Sequence, residues 1–152
     1  MNELVVPMLD LSGPWTRFWD MGSGGGHKED WSIILIQAPQ NEAERIFYNR
    51  FGHNPHRVTC TCCGPDYSID EYATLAGAIA FHLGWDWGSG DDYVERPNQL
   101  YRGPFRTLRD FLSDPEHRLA GRDEKAFILL RGDIVPEWRH SELPEQGYVW
   151  VD

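Results

Sequence analysis

Long hydrophobic runs are absent: nowhere in the 152 residues do about 18 apolar residues stand together, so no segment reads as a membrane span. The opening stretch MNELVVPMLDLSGPW has neither a basic region nor an apolar core of signal-peptide length, and the expectation is a soluble, cytoplasmic protein. Positive charge is scarce. With 14 Lys and Arg against 24 Asp and Glu the formal net charge is −10, and no basic run interrupts it, which repels a phosphate backbone and excludes general nucleic-acid binding. The same charge suits a partner with a basic surface. Cysteine is scarce as well: the three residues are Cys60, Cys62 and Cys63, too close together to form long-range disulfides, so reduced thiols or metal thiolates are expected. Internal repeats, a linker, a G-x-S-x-G elbow and an H-E-x-x-H helix are missing too, which leaves no familiar hydrolase signature.

Aromatic residues are plentiful. Hydrophobic content is only 41%, but seven Trp, seven Phe and six Tyr supply large apolar surfaces, so a folded globule with an aromatic-rich core is expected. Residues around PWTRFWDM read as a strand, GSGGGHKED as a connection, and Trp31 to Ile36 as a second, buried strand. After Pro39 the spacing of Ala43, Ile46, Phe47 and Phe51 predicts a helix stopped by Gly52. Thr74 caps a second helix whose Leu75, Ala78, Ile79, His82 and Leu83 share a face up to Gly84. The stretch from Trp85 to Pro104 reads as a long irregular connection with room for one short strand. A short helix over Thr107 to Leu112, a strand over Ala126 to Leu130 and a closing strand in GYVWVD complete the pattern. The fold class expected is α+β: a single domain over residues 1–152, with two or three helices packed on one face of a small, mostly antiparallel sheet.

The stretch HNPHRVTCTCCGPDYS concentrates most of the metal-ligating chemistry. Cys60 and Cys63, followed by Gly64, have the form of a zinc knuckle, and His53 and His56 upstream would complete a Cys₂His₂ set for a structural zinc ion. His27, His82 or Asp66 are alternative ligands. Asn54-Pro55 disfavours a helix between the histidines, and alternation along a strand would separate Cys60 from Cys63 unless the chain turns before Gly64. The competing readings are a tightly packed turn and a dithiol redox site. The redox site is weakened because GPDYS, and not a helix, follows the cysteines.

Gly24, Gly25, Gly26, His27 and Lys28 could cradle a small anion, although His27 stands where both the Walker loop and the dinucleotide fingerprint need glycine. Trp85, Asp86, Trp87, Asp91, Asp92 and Tyr93 form an acidic, aromatic stretch. Exposed, it would be a contact surface for a partner; buried, its tryptophans would only anchor the loop.

The block FYNRFGHNPHRVTCTCCGPDYSI, together with GSGGGHKE and IILIQAP upstream, resembles a group of small, mostly uncharacterised proteins of tailed bacteriophages. The resemblance implies no activity and no catalytic residues. It implies a setting, the cytoplasm of an infected cell, and a role as an accessory factor that binds and inhibits or sequesters a host component, host defence included. The alternatives are a zinc-dependent enzyme, with Asp66 or Glu71 activating water, and a sponge for a small anionic, nucleotide-like ligand.

Overall fold

The sequence IILI at Ile33–Ile36 has four apolar residues and no alternation, a pattern that a strand can bury only when both faces of its sheet are covered. The computed structural model describes residues 10–20, 31–52, 54–56, 59–60, 64–65, 67–86, 94–98, 105–120, 124–143 and 149–150. In it all four of these side chains are buried. The described elements are, in order, β1 (Ser12–Asp20), β2 (Ile33–Ile36), α1 (Gln40–Phe51), β3 (Thr59–Cys60), β4 (Gly64–Pro65) and β5 (Tyr67–Thr74). Then come α2 (Leu75–Ile79), running into a 3₁₀ turn at Ala80–Leu83, β6 (Trp85–Asp86), β7 (Val94–Pro97) and α3 (Leu108–Ser113). Last are β8 (Ala126–Leu129), α4 (Pro136–Arg139) and β9 (Val149–Trp150).

The main sheet has the order β5-β1-β2-β8. β1 pairs antiparallel with both β2 and β5, and β2 pairs parallel with β8, so the fold is α+β with a mostly antiparallel sheet. Two smaller sheets, β4-β3-β9 and β6-β7, complete the described strands. Helices were expected on one face, and here the structure differs. Ile34, Ile36 and Phe18 pack with Ala43, Ile46 and Phe47 of α1, while Ile33, Leu35 and Trp15 pack with Leu75, Ala78 and Ile79 of α2 and Phe111 of α3. Period-two alternation along β1 and β2 sends neighbouring side chains to opposite faces, so two separate clusters form. Fully burying a residue such as Ile46 or Phe47 contributes about 1.5–3 kcal/mol, and both are fully buried.

The helix boundaries follow local chemistry. Gly52 closes α1 in the left-handed conformation at φ 86°, its N–H donating to the Tyr48 carbonyl. The Thr74 hydroxyl accepts from the Gly77 N–H at the start of α2, and Thr107 and Asp110 form a reciprocal capping box at the start of α3. β1 bulges against β5 at its start, where Gly13 lies so close to Ala73 that an added Cβ would sit 1.9 Å from the Ala73 carbonyl oxygen. Only glycine fits that approach.

β5 is an element that the sequence pattern does not announce. Its residues, YSIDEYAT, include adjacent acids that disfavour strands, but on an edge strand acids are tolerated, and each is tied down: Asp70 pairs with Arg17, and Glu71 accepts from the Gln40 N–H that opens α1. The closing strand was expected and is present at Val149–Trp150, paired with β3 and not with the main sheet. Among the described residues no helix is long and apolar enough to cross a membrane.

Candidate functional site

The residues singled out in the sequence do not converge on one described site. Cys60 lies in β3, paired across to Gly64 of β4, the antiparallel arrangement that a reversal between them requires. The His56 imidazole is turned to the Glu44 carboxylate on α1, and the His56 backbone N–H donates to Asn54 Oδ1 at 3.0 Å. His53 and Cys63 lie outside the described residues, as do Gly24, Gly25, Gly26, His27 and Lys28. Among the described residues no three His, Cys, Asp or Glu side chains gather where a metal ion could sit. Glu71 caps α1, and His82 lies in another part of the molecule, against Arg17.

Of the two roles open to Trp85, the structure shows the anchor: it is 4% exposed and its indole N–H donates to the Arg106 carbonyl at 2.7 Å. Burial removes its ring as a contact surface. Asp86 pairs with Arg96 of β7 at 2.8 Å, which closes the β6–β7 ribbon. Trp87, Asp91, Asp92 and Tyr93 lie outside the described residues.

A different cluster is assembled on the face of β1 that carries Trp15. Alternation puts Arg17 and Trp19 on the same side, and pairing with β5 sets Arg17 opposite Asp70, Trp15 opposite Tyr72 and Trp19 opposite Ser68. The Arg17 guanidinium lies over the rings of Trp19 and Tyr72, with Cζ 5.3 and 5.2 Å from their centroids. Its Nη2 donates to Asp70 Oδ2 at 3.0 Å, and its Nη1 lies 3.2 Å from His82 Nε2. A guanidinium only donates, so that imidazole nitrogen is the acceptor. Its Nε is buried and has no hydrogen-bond partner among the described residues.

The 3₁₀ turn supplies the outer wall. His82 meets Trp19 edge-on at 5.0 Å, and Phe81 lies 5.7 Å from Trp19 and 5.4 Å from His82. The 3₁₀ turn that follows α2 carries both side chains to the rim. Phe81 is 57% exposed, the most exposed large apolar side chain among the described residues. Asp70, the carboxylate partner of Arg17, is half-exposed. Rings, a carboxylate and an arginine held in one partly open patch match the composition of protein-binding hot spots. Ser68 donates to Asp70 at 3.2 Å, while His82 Nε2 faces Arg17, so this trio is not wired as nucleophile, base and orienting acid.

The clue in the sequence was the alternation Trp15, Arg17, Trp19: an arginine between two tryptophans on one face of a strand. The second clue was His82, placed on the buried face of a helix. Compared with known proteins, the chain matches no family model, no curated protein and no solved structure.

Proposed function

We propose that this protein is a binding module, an accessory factor of tailed-bacteriophage type that captures and so inhibits or sequesters a host component, host defence included. The observation that carries the reading is the patch of Trp19, Tyr72, Phe81, His82 and Arg17, with Phe81 exposed over it. The charge of −10 and the half-exposed Asp70 favour a partner protein with a basic surface. The test is capture from host lysate by the immobilised protein in parallel with Phe81→Ala. A host protein held by the wild type, released as ionic strength rises and missing from the variant supports the reading. Equal capture by both, or capture indifferent to salt, sinks it.

A structural zinc ion is a second reading, favoured by the pairing of Cys60 with Gly64. It would brace the β3–β4 hairpin through Cys60, Cys63, His53 and His56. Stoichiometric zinc in protein purified without chelator, lost together with thermal stability in Cys60→Ser, is the expected result; wild-type protein without zinc overturns it.

A further inference from the structure

Histidine is the side chain that ordinarily changes charge between about pH 5 and 8, and His82 stands where gaining a proton would alter the Arg17 patch. Arg17 Nη1 lies 3.2 Å from His82 Nε2. A guanidinium has donors and no acceptor, so this contact is a hydrogen bond only while Nε2 keeps its lone pair, with the imidazole neutral and its proton on Nδ1. Protonation makes Nε2 a second donor facing the first. It also sets two positive charges 3.2 Å apart, beside an arginine side chain that is 9% exposed and poorly screened by water.

The charged groups on the elements around His82 do not undo this effect. Asp70 of β5 is bonded to Arg17 through the other terminal nitrogen, Nη2, at 3.0 Å. Alternation puts Asp20 of β1 and Glu71 of β5 on the opposite face of the sheet, where Glu71 accepts from the Gln40 N–H. α2 carries no charged residue. The Ala120 N–H donates to the His82 carbonyl at 3.1 Å, and on that segment Arg106 and Arg118 are both turned to Asp114, while Asp86 after the 3₁₀ turn pairs with Arg96. Glu124, whose carbonyl accepts from the Leu119 N–H, is the carboxylate beside the same segment. A carboxylate on the Nδ1 side moves the midpoint of a histidine upward, but it does not restore the lone pair at Nε2.

We propose that mild acid opens the Arg17 patch: protonation of His82 breaks its contact with Arg17 and moves His82 and Phe81 off Trp19. The coupling runs through adjacent rings. His82 and Phe81 lie 5.4 Å from each other and 5.0 and 5.7 Å from Trp19, so an imidazole driven from Arg17 disturbs the seat of Phe81 as well. The inference rests on the proposed function for its use, a contact held at neutral pH and released in mild acid. The switch itself is read in the free protein.

The test is an NMR titration of the free protein from about pH 7.5 to about pH 5, above the region in which Asp114 takes up its proton. The His82 imidazole should titrate in this range, and the ring signals of Phe81 and Trp19 should move with the same midpoint. In His82→Gln, whose side-chain oxygen can accept from Arg17 and cannot titrate, those ring signals should stay constant. In Arg17→Met the His82 midpoint should rise by about one pH unit, because the opposing cation is gone. A His82 that does not titrate, Phe81 signals that stay still while it does, shifts that persist in His82→Gln, or a midpoint unmoved in Arg17→Met would each overturn the switch. If His82→Gln does not fold, the wild-type titration and Arg17→Met decide it. Failure to capture a host protein at neutral pH would count against the proposed function alone.

Discussion

Two of the charged side chains buried among the described residues, Asp114 and Arg17, are treated differently. Asp114, with a side chain 4% exposed, is fully occupied: Oδ1 accepts from the Glu116 N–H at 3.0 Å, and Oδ2 accepts from Arg106 Nη1 at 2.9 Å and Arg118 Nε at 3.0 Å. Arg106 also donates to the Arg118 carbonyl, and its own N–H donates to the Leu83 carbonyl, so the end of α3, the 3₁₀ turn and the flank of β8 are tied at one point. Arg17, with a side chain 9% exposed, has a single carboxylate partner that is itself half in water, a histidine nitrogen, two ring faces and an unpaired Nε. A buried charge with every hydrogen bond made is a staple. One left partly unmet, in a patch with an exposed phenylalanine at its rim, is where the proposed function puts the contact.

The largest stability effect is expected at Asp114. Asp114→Ala strands the Glu116 amide and leaves two arginines without their shared acceptor, so its melting temperature should fall further than that of any Arg17-patch variant. Acid should act on the same knot. The Glu116 amide first and Arg106 next, opposed by burial and aided by Arg118, hold the Asp114 carboxyl well below the usual carboxylate range. The folded chain therefore binds fewer protons than the unfolded one in that region. The stability contributed is complete above about pH 5 and drains away as pH falls through and below the ordinary aspartate value of about 3.9. Thermal melts from neutral to acid pH should show this limb in the wild type and a shallower one in Asp114→Asn. Identical limbs would mean that other carboxylates govern acid unfolding.

Arg17→Met comes second. Methionine can fill the slot between Trp19 and Tyr72 without the charge, so the expected loss is about 1–2 kcal/mol, mostly the ring–cation contacts. Partner capture should fall about tenfold at the same time. Asp70→Asn should cost less than about 1 kcal/mol, because a half-exposed pair is well screened, yet it should lessen the salt dependence of capture. Denaturant melts of the three proteins separate these outcomes. An Arg17→Met loss as large as that of Asp114→Ala would erase the contrast between staple and site.

Much of the scaffold was legible in the sequence, because it rests on local signals. Gly52, Thr74 and Thr107 mark helix ends through chemistry within a few residues, and Ile33–Ile36 and Ala126–Leu129 are apolar runs that read as buried strands. The unbroken IILI run is the pattern of a sheet covered on both faces, yet the sequence reading placed helices on one face only, and the structure corrects it. β5 was hidden because Asp70 and Glu71 look like loop residues until Arg17 and the Gln40 amide are set across from them, and those partners are 53 and 31 residues away. The patch was hidden for the same reason. Arg17, Tyr72 and His82 become neighbours through strand pairing and a 3₁₀ turn, whereas the Cys/His block and the Trp85 stretch drew attention because their residues are close in sequence.

Phe81 offers the smallest stability effect and the sharpest test. Its side chain is mostly in water, so truncation to alanine removes little buried area, and stability should stay within about 0.5 kcal/mol of wild type. Its ring nevertheless walls Trp19 and His82 at the rim of the Arg17 patch. Under the proposed function this exposed ring is the part of the patch that a partner reaches first. Phe81→Ala should therefore lose about 2 kcal/mol or more of partner affinity while its melt overlays the wild type. If melt and capture fall together, Phe81 is a packing residue and the patch is part of the core; if neither changes, the half-met charge of Arg17 is structural and the contrast with Asp114 is one of degree only.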